Sequence, residues 1–129
     1  MGLTDFVSAR LDEDEAVARA ALTDDAWWVD GPAAKSGHWW IYPLGVKFVS
    51  RPAAEHIARN DPARVLAQVA AMRRIVDKAV VARGHEPRAE EMGWEHSITS
   101  AAAVAYEDAL RLLASIWRDH PDFDPAWEV

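Results

Sequence analysis

The first apolar stripe along the chain has the spacing of an α-helix. Residues 4–22 contain no Gly or Pro, and Thr4 or Asp5 can cap the start of a helix there. Apolar side chains recur at intervals of four or seven residues, which places them on one helix face. They are Val7, Leu11, Ala18 and Leu22. The stripe lacks an apolar residue at Asp14 and Glu15, and we expect one of these carboxylates at the edge of the buried face.

The pattern changes over residues 27–50, where short aromatic and β-branched runs alternate with turn segments. Strands are predicted at 27–30, 39–42 and 46–50, because residues of these types suit a half-buried pleated surface. Glycine and proline separate the runs, as they do in tight connections. We therefore predict a three-stranded antiparallel β-meander.

Helical spacing returns in the second half of the chain, where a predicted apolar stripe consists of Val65, Val69, Met72, Val76 and Ala79 or Val80. Residues 52–82 are predicted as a helix kinked at Asp61, because Asp is a good N-cap and the proline that follows suits a first helical position. Gly84 is expected to end this helix. A last helix is predicted over 95–119, followed by a tail over 120–129.

These elements predict one α+β domain over residues 1–129. It consists of an N-terminal helix, a small antiparallel three-stranded sheet, a kinked helix pair and a long C-terminal helix packed on one sheet face. A chain of 129 residues that is 50% hydrophobic can bury a sizeable core. The absence of cysteine excludes disulfides and suits a reducing compartment. With no signal peptide and no apolar run of spanning length, we expect a cytoplasmic protein without a membrane partner.

The net charge of the chain indicates which classes of partner it can bind. Lys plus Arg is 14 and Asp plus Glu is 21, a net charge of −7. A negative surface argues against a nucleic-acid partner, which needs cationic residues at the phosphate backbone. The basic residues of the kinked helix are interpreted as a solvated face. They are Arg64, Arg73, Arg74 and Lys78. The acidic run "LDEDE" over 11–15 is interpreted as exposed, with a carboxylate aimed at a partner in a cleft as the alternative.

Two tryptophan pairs within residues 27–42 are the strongest functional signal. Neighbouring side chains of a strand point to opposite sheet faces, so each pair places a large ring on both sides. One face belongs on the helices. The other is predicted to be an interaction face, and its candidates are Trp28, Trp39, Trp40 and Tyr42, with either Trp39 or Trp40 on it. Its cover could be the tail rings Phe123 and Trp127, a second subunit, or a foreign partner or ligand.

A second candidate is a polar cluster of Glu15, His56, Asp61 and His120. These are the residue types that bind metals, but nothing in their spacing requires them to converge. Each has a structural explanation as well: Asp61 as a helix cap, His56 bonded across the break, and His120 at the end of the last helix. The chain contains no H-E-x-x-H, G-x-S-x-G, G-x-G-x-x-G or P-loop motif. We predict neither a metal nor a cofactor.

Four segments together resemble a known group of sequences. They are "ARLDEDE" at 9–15, the Trp-bearing segment 27–49, "EHIARNDPARVLAQVAAMRRIVD" at 55–77, and "DHPDF" followed by a tryptophan within 119–127. The pattern resembles a family of short actinobacterial and actinophage proteins that is grouped only as a domain of unknown function. The resemblance covers most of the chain and is most specific over 55–66. It implies no activity, substrate or cofactor, and implies a setting among mobile elements and accessory genes.

The function predicted from the sequence is that of a non-enzymatic interaction or accessory protein. We expect it to act as a homo-oligomer or with a protein partner, through the aromatic face of the sheet. One alternative is a small metal-dependent enzyme built on His56, Asp61 and His120. Another is an acidic decoy that binds a basic protein, although its charges show no phosphate-like period.

Overall fold

The computed structural model describes residues 1–48, 50–89 and 95–129, with the backbone alone for residues 85–89 and 95–99. Within these ranges it has four α-helices and a three-stranded antiparallel sheet, which confirms the predicted α+β class. The helices are α1 (Leu3–Ala20), α2 (Arg51–Arg59), α3 (Pro62–Ala89) and α4 (Glu95–Ala114). The strands are β1 (Trp28–Asp30), β2 (Trp39–Tyr42) and β3 (Val46–Phe48). Short 3₁₀ turns follow at Ser115–Trp117 and Pro125–Trp127.

The helix bounds differ from the sequence expectation mainly in α3. Gly84 was expected to end this helix, and that expectation is wrong because α3 continues to Ala89. Glycine ends a helix by taking a positive φ angle. The glycines that do so in the described ranges are Gly31, Gly37 and Gly45. Gly84 keeps helical geometry, and it therefore costs the helix stability without breaking it.

Contacts divide the chain into two compact units. The helical unit comprises Met1–Glu13 and Val69–Val129, and the sheet unit comprises Asp14–Gln68. Both α1 and α3 contribute residues to each unit. Each unit is described separately below.

The sheet unit is built on the strand order β1-β2-β3. Ile41 of the central strand is fully buried, and so is Ala54 of α2. Helix α2 packs against all three strands. Gly31 permits a close approach after β1, because a Cβ there would lie 2.9 Å from the carbonyl oxygen of His38. The sheet therefore buries one of its faces against α2.

The junction between α2 and α3 has its own capping groups. The Ser50 hydroxyl accepts from the Ala53 amide at 3.4 Å at the start of α2. The Asp61 carboxylate accepts from the Arg64 amide at 2.9 Å at the start of α3. This satisfies one of the four backbone N–H groups that the first turn of a helix leaves without a partner. The Asp-Pro step therefore separates the two helices of the predicted kinked pair.

The helical unit takes its buried residues from α1, α3 and α4. The largest fully buried side chains from α1 and α4 are Phe6, Val7, Leu11 and Leu110. Val69, Val76 and Ala79 of α3 are also buried, at the positions of the predicted apolar stripe. The periodicity of α3 therefore identified its buried face correctly.

The C-terminal tail packs on the first helix of this unit. The Phe6 ring centroid lies 5.1 Å from that of Trp127 and 6.0 Å from that of Phe123. Phe123 and Trp127 meet edge to face at 5.8 Å. Such aromatic pairs add about 0.5–1.5 kcal/mol beyond the area they bury. The two tail rings that were considered as a cover for the sheet thus bury Phe6.

Candidate functional site

Strand register assigns every tryptophan of the hairpin to a face. Trp28 lies opposite Tyr42, and Asp30 lies opposite Trp40. Trp40 in turn lies opposite Lys47. Residues directly opposite one another share a sheet face. One face, called the aromatic face below, therefore carries Trp28, Asp30, Trp40, Tyr42 and Lys47.

Trp39 lies on the other face. It pairs with Phe48, and the Arg51 guanidinium of α2 sits over its ring at 5.1 Å. Ile41 shares this side and is fully buried. Trp39 is thus part of the packing against α2, while the other three predicted interaction residues share the aromatic face. The sequence left the choice between Trp39 and Trp40 open, and the register decides it for Trp40.

The aromatic face is only partly covered. Trp28 and Tyr42 stack with centroids 4.7 Å apart and an interplanar angle of 23°. Trp28 nevertheless remains 52% exposed, and Trp40 and Tyr42 are half-buried. Lys47 and Asp30 are exposed at the two outer strands. An exposed aromatic cluster with a charged group on either side has the composition of an interface.

Three members of the predicted polar cluster lie in the sheet unit, and each makes a different contact. Glu15 accepts from the Arg19 Nε at 2.8 Å along α1. His56 is exposed on α2, and its carbonyl accepts from the Asn60 side-chain amide at 2.7 Å. Asp61 caps α3. The side chains of Glu15 and Asp61 thus act in an ion pair and a helix cap, whereas the contact of His56 involves only its backbone.

His120, the fourth member, lies in the helical unit beside a buried arginine. Arg10 is only 6% exposed, and its Nη1 lies 2.6 Å from Nε2 and 2.7 Å from Nδ1 of His120. Arg10 also donates to Glu13 at 2.7 Å. The Asp122 amide donates to His120 Nδ1 at 3.1 Å. His120 therefore ties the tail to α1. The terminal nitrogens of the buried guanidinium have neighbouring acceptors, while its Nε has no hydrogen-bond partner.

Among the described side chains, those of residues 1–48, 50–84 and 100–129, no group of three or more His, Asp or Glu is placed to hold a metal ion. The metal-dependent alternative thus lacks a ligand set in this part of the chain. His85, Glu90, Glu91 and His96 lie outside the side chains that the structure describes. The same ranges hold no helix long and apolar enough to cross a bilayer.

The acidic run of α1 is largely engaged by the protein's own arginines. Asp12 pairs with Arg73 at 2.6 Å, and Glu13 pairs with Arg10 at 2.7 Å. Glu15 pairs with Arg19 at 2.6 Å. A decoy needs carboxylates that are available to a basic partner. The ion pairs with the protein's own arginines leave these carboxylates less available. The geometry gives the decoy alternative no specific support.

A groove that the sequence reasoning did not anticipate lies within the sheet unit. It has a volume of about 490 Å³ and is formed by β1 with its preceding residue, the C-terminal half of α2 and the start of α3. Its lining residues are Trp27, Trp28, Val29, Glu55, Ala58, Arg59, Asp61 and Arg64. The only sequence signal was the pair of arginines on either side of the Asp-Pro step, in "ARNDPAR".

Comparison with known proteins places the chain in a family. No curated protein and no solved structure matches it. The model of a family of unknown function, DUF6221, matches residues 1–129, which is the whole chain. The chain therefore belongs to DUF6221, a family of unknown function.

Proposed function

We propose that this protein is a non-enzymatic interaction protein that self-associates through the aromatic face of its sheet. The observation that carries the proposal is Trp28, which is 52% exposed while it stacks on Tyr42. The stack lies on the face opposite α2, since Trp39 and Ile41 occupy the packed side. A second copy of the chain supplies the cover.

Burial of this face would stabilise a dimer appreciably. Covering the remaining half of a tryptophan ring removes roughly 75–125 Å² from water, worth about 2–3 kcal/mol per copy. The face is small, since three strands of three or four residues span roughly 10 Å in each direction. Stable interfaces bury about 800 Å² per partner, so we expect a weak, concentration-dependent dimer.

The charges of the face favour a second copy as the occupant. Asp30, Trp40 and Lys47 form one level across the three strands, so this level runs negative, aromatic, positive. A twofold axis parallel to the strands, between two facing sheets, brings β1 of one copy opposite β3 of the other. Asp30 then faces Lys47 of the second copy at both ends, and Trp40 faces its equivalent. Isologous interfaces require such self-complementary surfaces.

Sedimentation velocity over roughly 1–200 µM tests the proposal, because weak interfaces dissociate in this range. Wild-type protein is expected to shift from monomer to dimer, and the Trp28→Ala/Trp40→Ala variant to stay monomeric while keeping its helical circular dichroism. Val104→Ala serves as the control, because it removes another apolar side chain that is 60% exposed. A wild-type monomer throughout, or a tryptophan variant that associates normally, would overturn the proposal.

A charge swap tests the orientation. Asp30→Lys and Lys47→Asp are each expected to weaken the dimer, because each creates like charges across the interface. The double variant Asp30→Lys/Lys47→Asp is expected to recover wild-type association. A double variant weaker than either single one would contradict the twofold arrangement.

The biological setting forms a further part of the proposal. The resemblance carried by "ARLDEDE" and "HIARNDPARVL" supports an accessory protein of actinobacterial or phage origin. The absence of cysteine supports a reducing cytoplasm. Co-expression with the products of neighbouring genes, followed by a measurement of association, tests this setting. Folding of the protein only in an oxidising compartment would contradict it.

A further inference from the structure

The groove beside β1 combines aromatic walls with basic side chains. Trp27 and Trp28 line it together with Arg59 and Arg64. Trp27 is held in place by its Nε1, which donates to the Thr23 hydroxyl at 3.1 Å. A volume of about 490 Å³ lies within the usual range of small-molecule sites, roughly 300–1,000 Å³.

The groove is lined by two arginines and two carboxylates, and both carboxylates already accept a hydrogen bond. Of its two carboxylates, Glu55 accepts from the Arg51 Nε at 2.7 Å. Asp61 accepts from the Arg64 amide, so the first turn of α3 is already capped. The Arg64 Nη1 donates to the Arg59 carbonyl at 3.1 Å, which holds this guanidinium at the end of α2. Within the part of the chain that the structure describes, neither Arg59 nor Arg64 forms an ion pair.

We propose that this groove binds a small aromatic anion, with its flat ring against Trp27 and its anionic group at Arg59 and Arg64. Guanidinium groups donate paired hydrogen bonds to carboxylate and phosphate oxygens, and indole rings provide apolar contact for a planar ligand. The two arginines are separated along the chain by the capped helix junction, which holds them in fixed elements on either side of one site.

This inference does not rest on self-association. The groove residues Arg59 and Arg64 lie outside the aromatic face, and Trp40 does not line the groove. Trp28 belongs to both surfaces. Ligand binding is therefore measured both in the wild-type protein and in Trp40→Ala, which changes the aromatic face outside the groove and is expected to weaken association. If both proteins bind the ligand and neither forms a dimer, the proposed dimer is refuted while the proposed ligand site still stands.

Three probes separate the contributions of ring and charge. They are 2-naphthoate, which has a ring and a carboxylate, 2-naphthalenemethanol, which has the ring alone, and inorganic phosphate, which has charge alone. Titrations followed by ¹H–¹⁵N NMR read the indole N–H signals of Trp27 and Trp28 directly. We expect naphthoate to bind with a dissociation constant on the order of a millimolar, and each other probe to bind at least about fivefold more weakly.

The decisive variant is Arg59→Gln/Arg64→Gln, with Arg74→Gln as the matched control. Arg74 is another exposed arginine of α3 and does not line the groove. The double variant is expected to weaken naphthoate binding about five- to tenfold, and the control to leave it unchanged. The NMR spectrum of each variant verifies its fold. Equal binding by the double variant, equal binding of the uncharged probe, or unshifted indole signals up to roughly 20 mM naphthoate would each overturn the proposal.

Discussion

At the scale of single residues, two glycines show how backbone geometry decides what a substitution does. Gly45 has φ +66°, whereas Gly84 lies inside α3 with helical geometry. A Cβ on either residue would meet no atom within 4 Å. Alanine substitutions at these two glycines therefore measure the contribution of backbone conformation to stability without a change in packing.

Gly84→Ala is expected to raise the free energy of unfolding by about 0.5–1 kcal/mol, because alanine favours the helix and restricts the unfolded chain. Gly45→Ala is expected to lower it by about 1–2 kcal/mol, because an L-residue is strained at positive φ. Urea unfolding followed by circular dichroism measures both. Changes of the same sign in the two variants would contradict this assignment.

Neither outcome could be predicted from residue type alone. Both glycines follow apolar segments, and both were expected to stand at the end of an element. Trp39 and Trp40 present the same problem, since alternation places them on opposite faces without saying which face meets α2. Only the pairing of Trp39 with Phe48 and its contact with Arg51 make that choice.

At the scale of elements, the junction between α2 and α3 depends on one side chain. Asp61→Ala is expected to lower the free energy of unfolding by about 1 kcal/mol, because it removes the acceptor of the Arg64 amide. Asp61→Asn keeps an acceptor oxygen and is expected to cost only a few tenths of that. Urea unfolding compares the two variants. An Asn variant as unstable as the Ala variant would mean that the negative charge itself, beyond its capping role, is required.

The elements that sequence reasoning identified best are those with strong periodicity and clear boundary signals. The buried Val69 and Val76 of α3 follow the predicted stripe, and the break before Pro62 lies at the Asp-Pro step. The C-terminal end of α3 was missed because a glycine permits a helix end without requiring one. The arginines beside the groove were missed as a pair because the junction between two helices brings them together, with the Arg64 Nη1 donating to the Arg59 carbonyl.

At the scale of the whole molecule, the effect of metal ions on the melting temperature tests the metal-dependent enzyme alternative. Ligands that bind only the folded state raise its melting temperature by mass action. Because the described side chains, those of residues 1–48, 50–84 and 100–129, contain no convergent ligand group, we expect the melting temperature to be the same in EDTA and with added Zn²⁺ or Mg²⁺. Untagged protein is required, since a histidine tag binds metals itself. A clear rise of the melting temperature with metal would support a metal site that includes His56, Asp61 and His120.

The sequence by itself determined the local features of this protein: its α+β class, the positions of its strands, and the cap at Asp61. These follow from periodicity and from short-range backbone chemistry, which act over a few residues. The tertiary structure alone decided which contacts form over long separations. Arg10 meets His120 across 110 positions, Trp127 packs on Phe6, and Trp40 rather than Trp39 joins Trp28 on the exposed face. Such contacts depend on how elements pack and pair, and the local spacing of residues does not encode that.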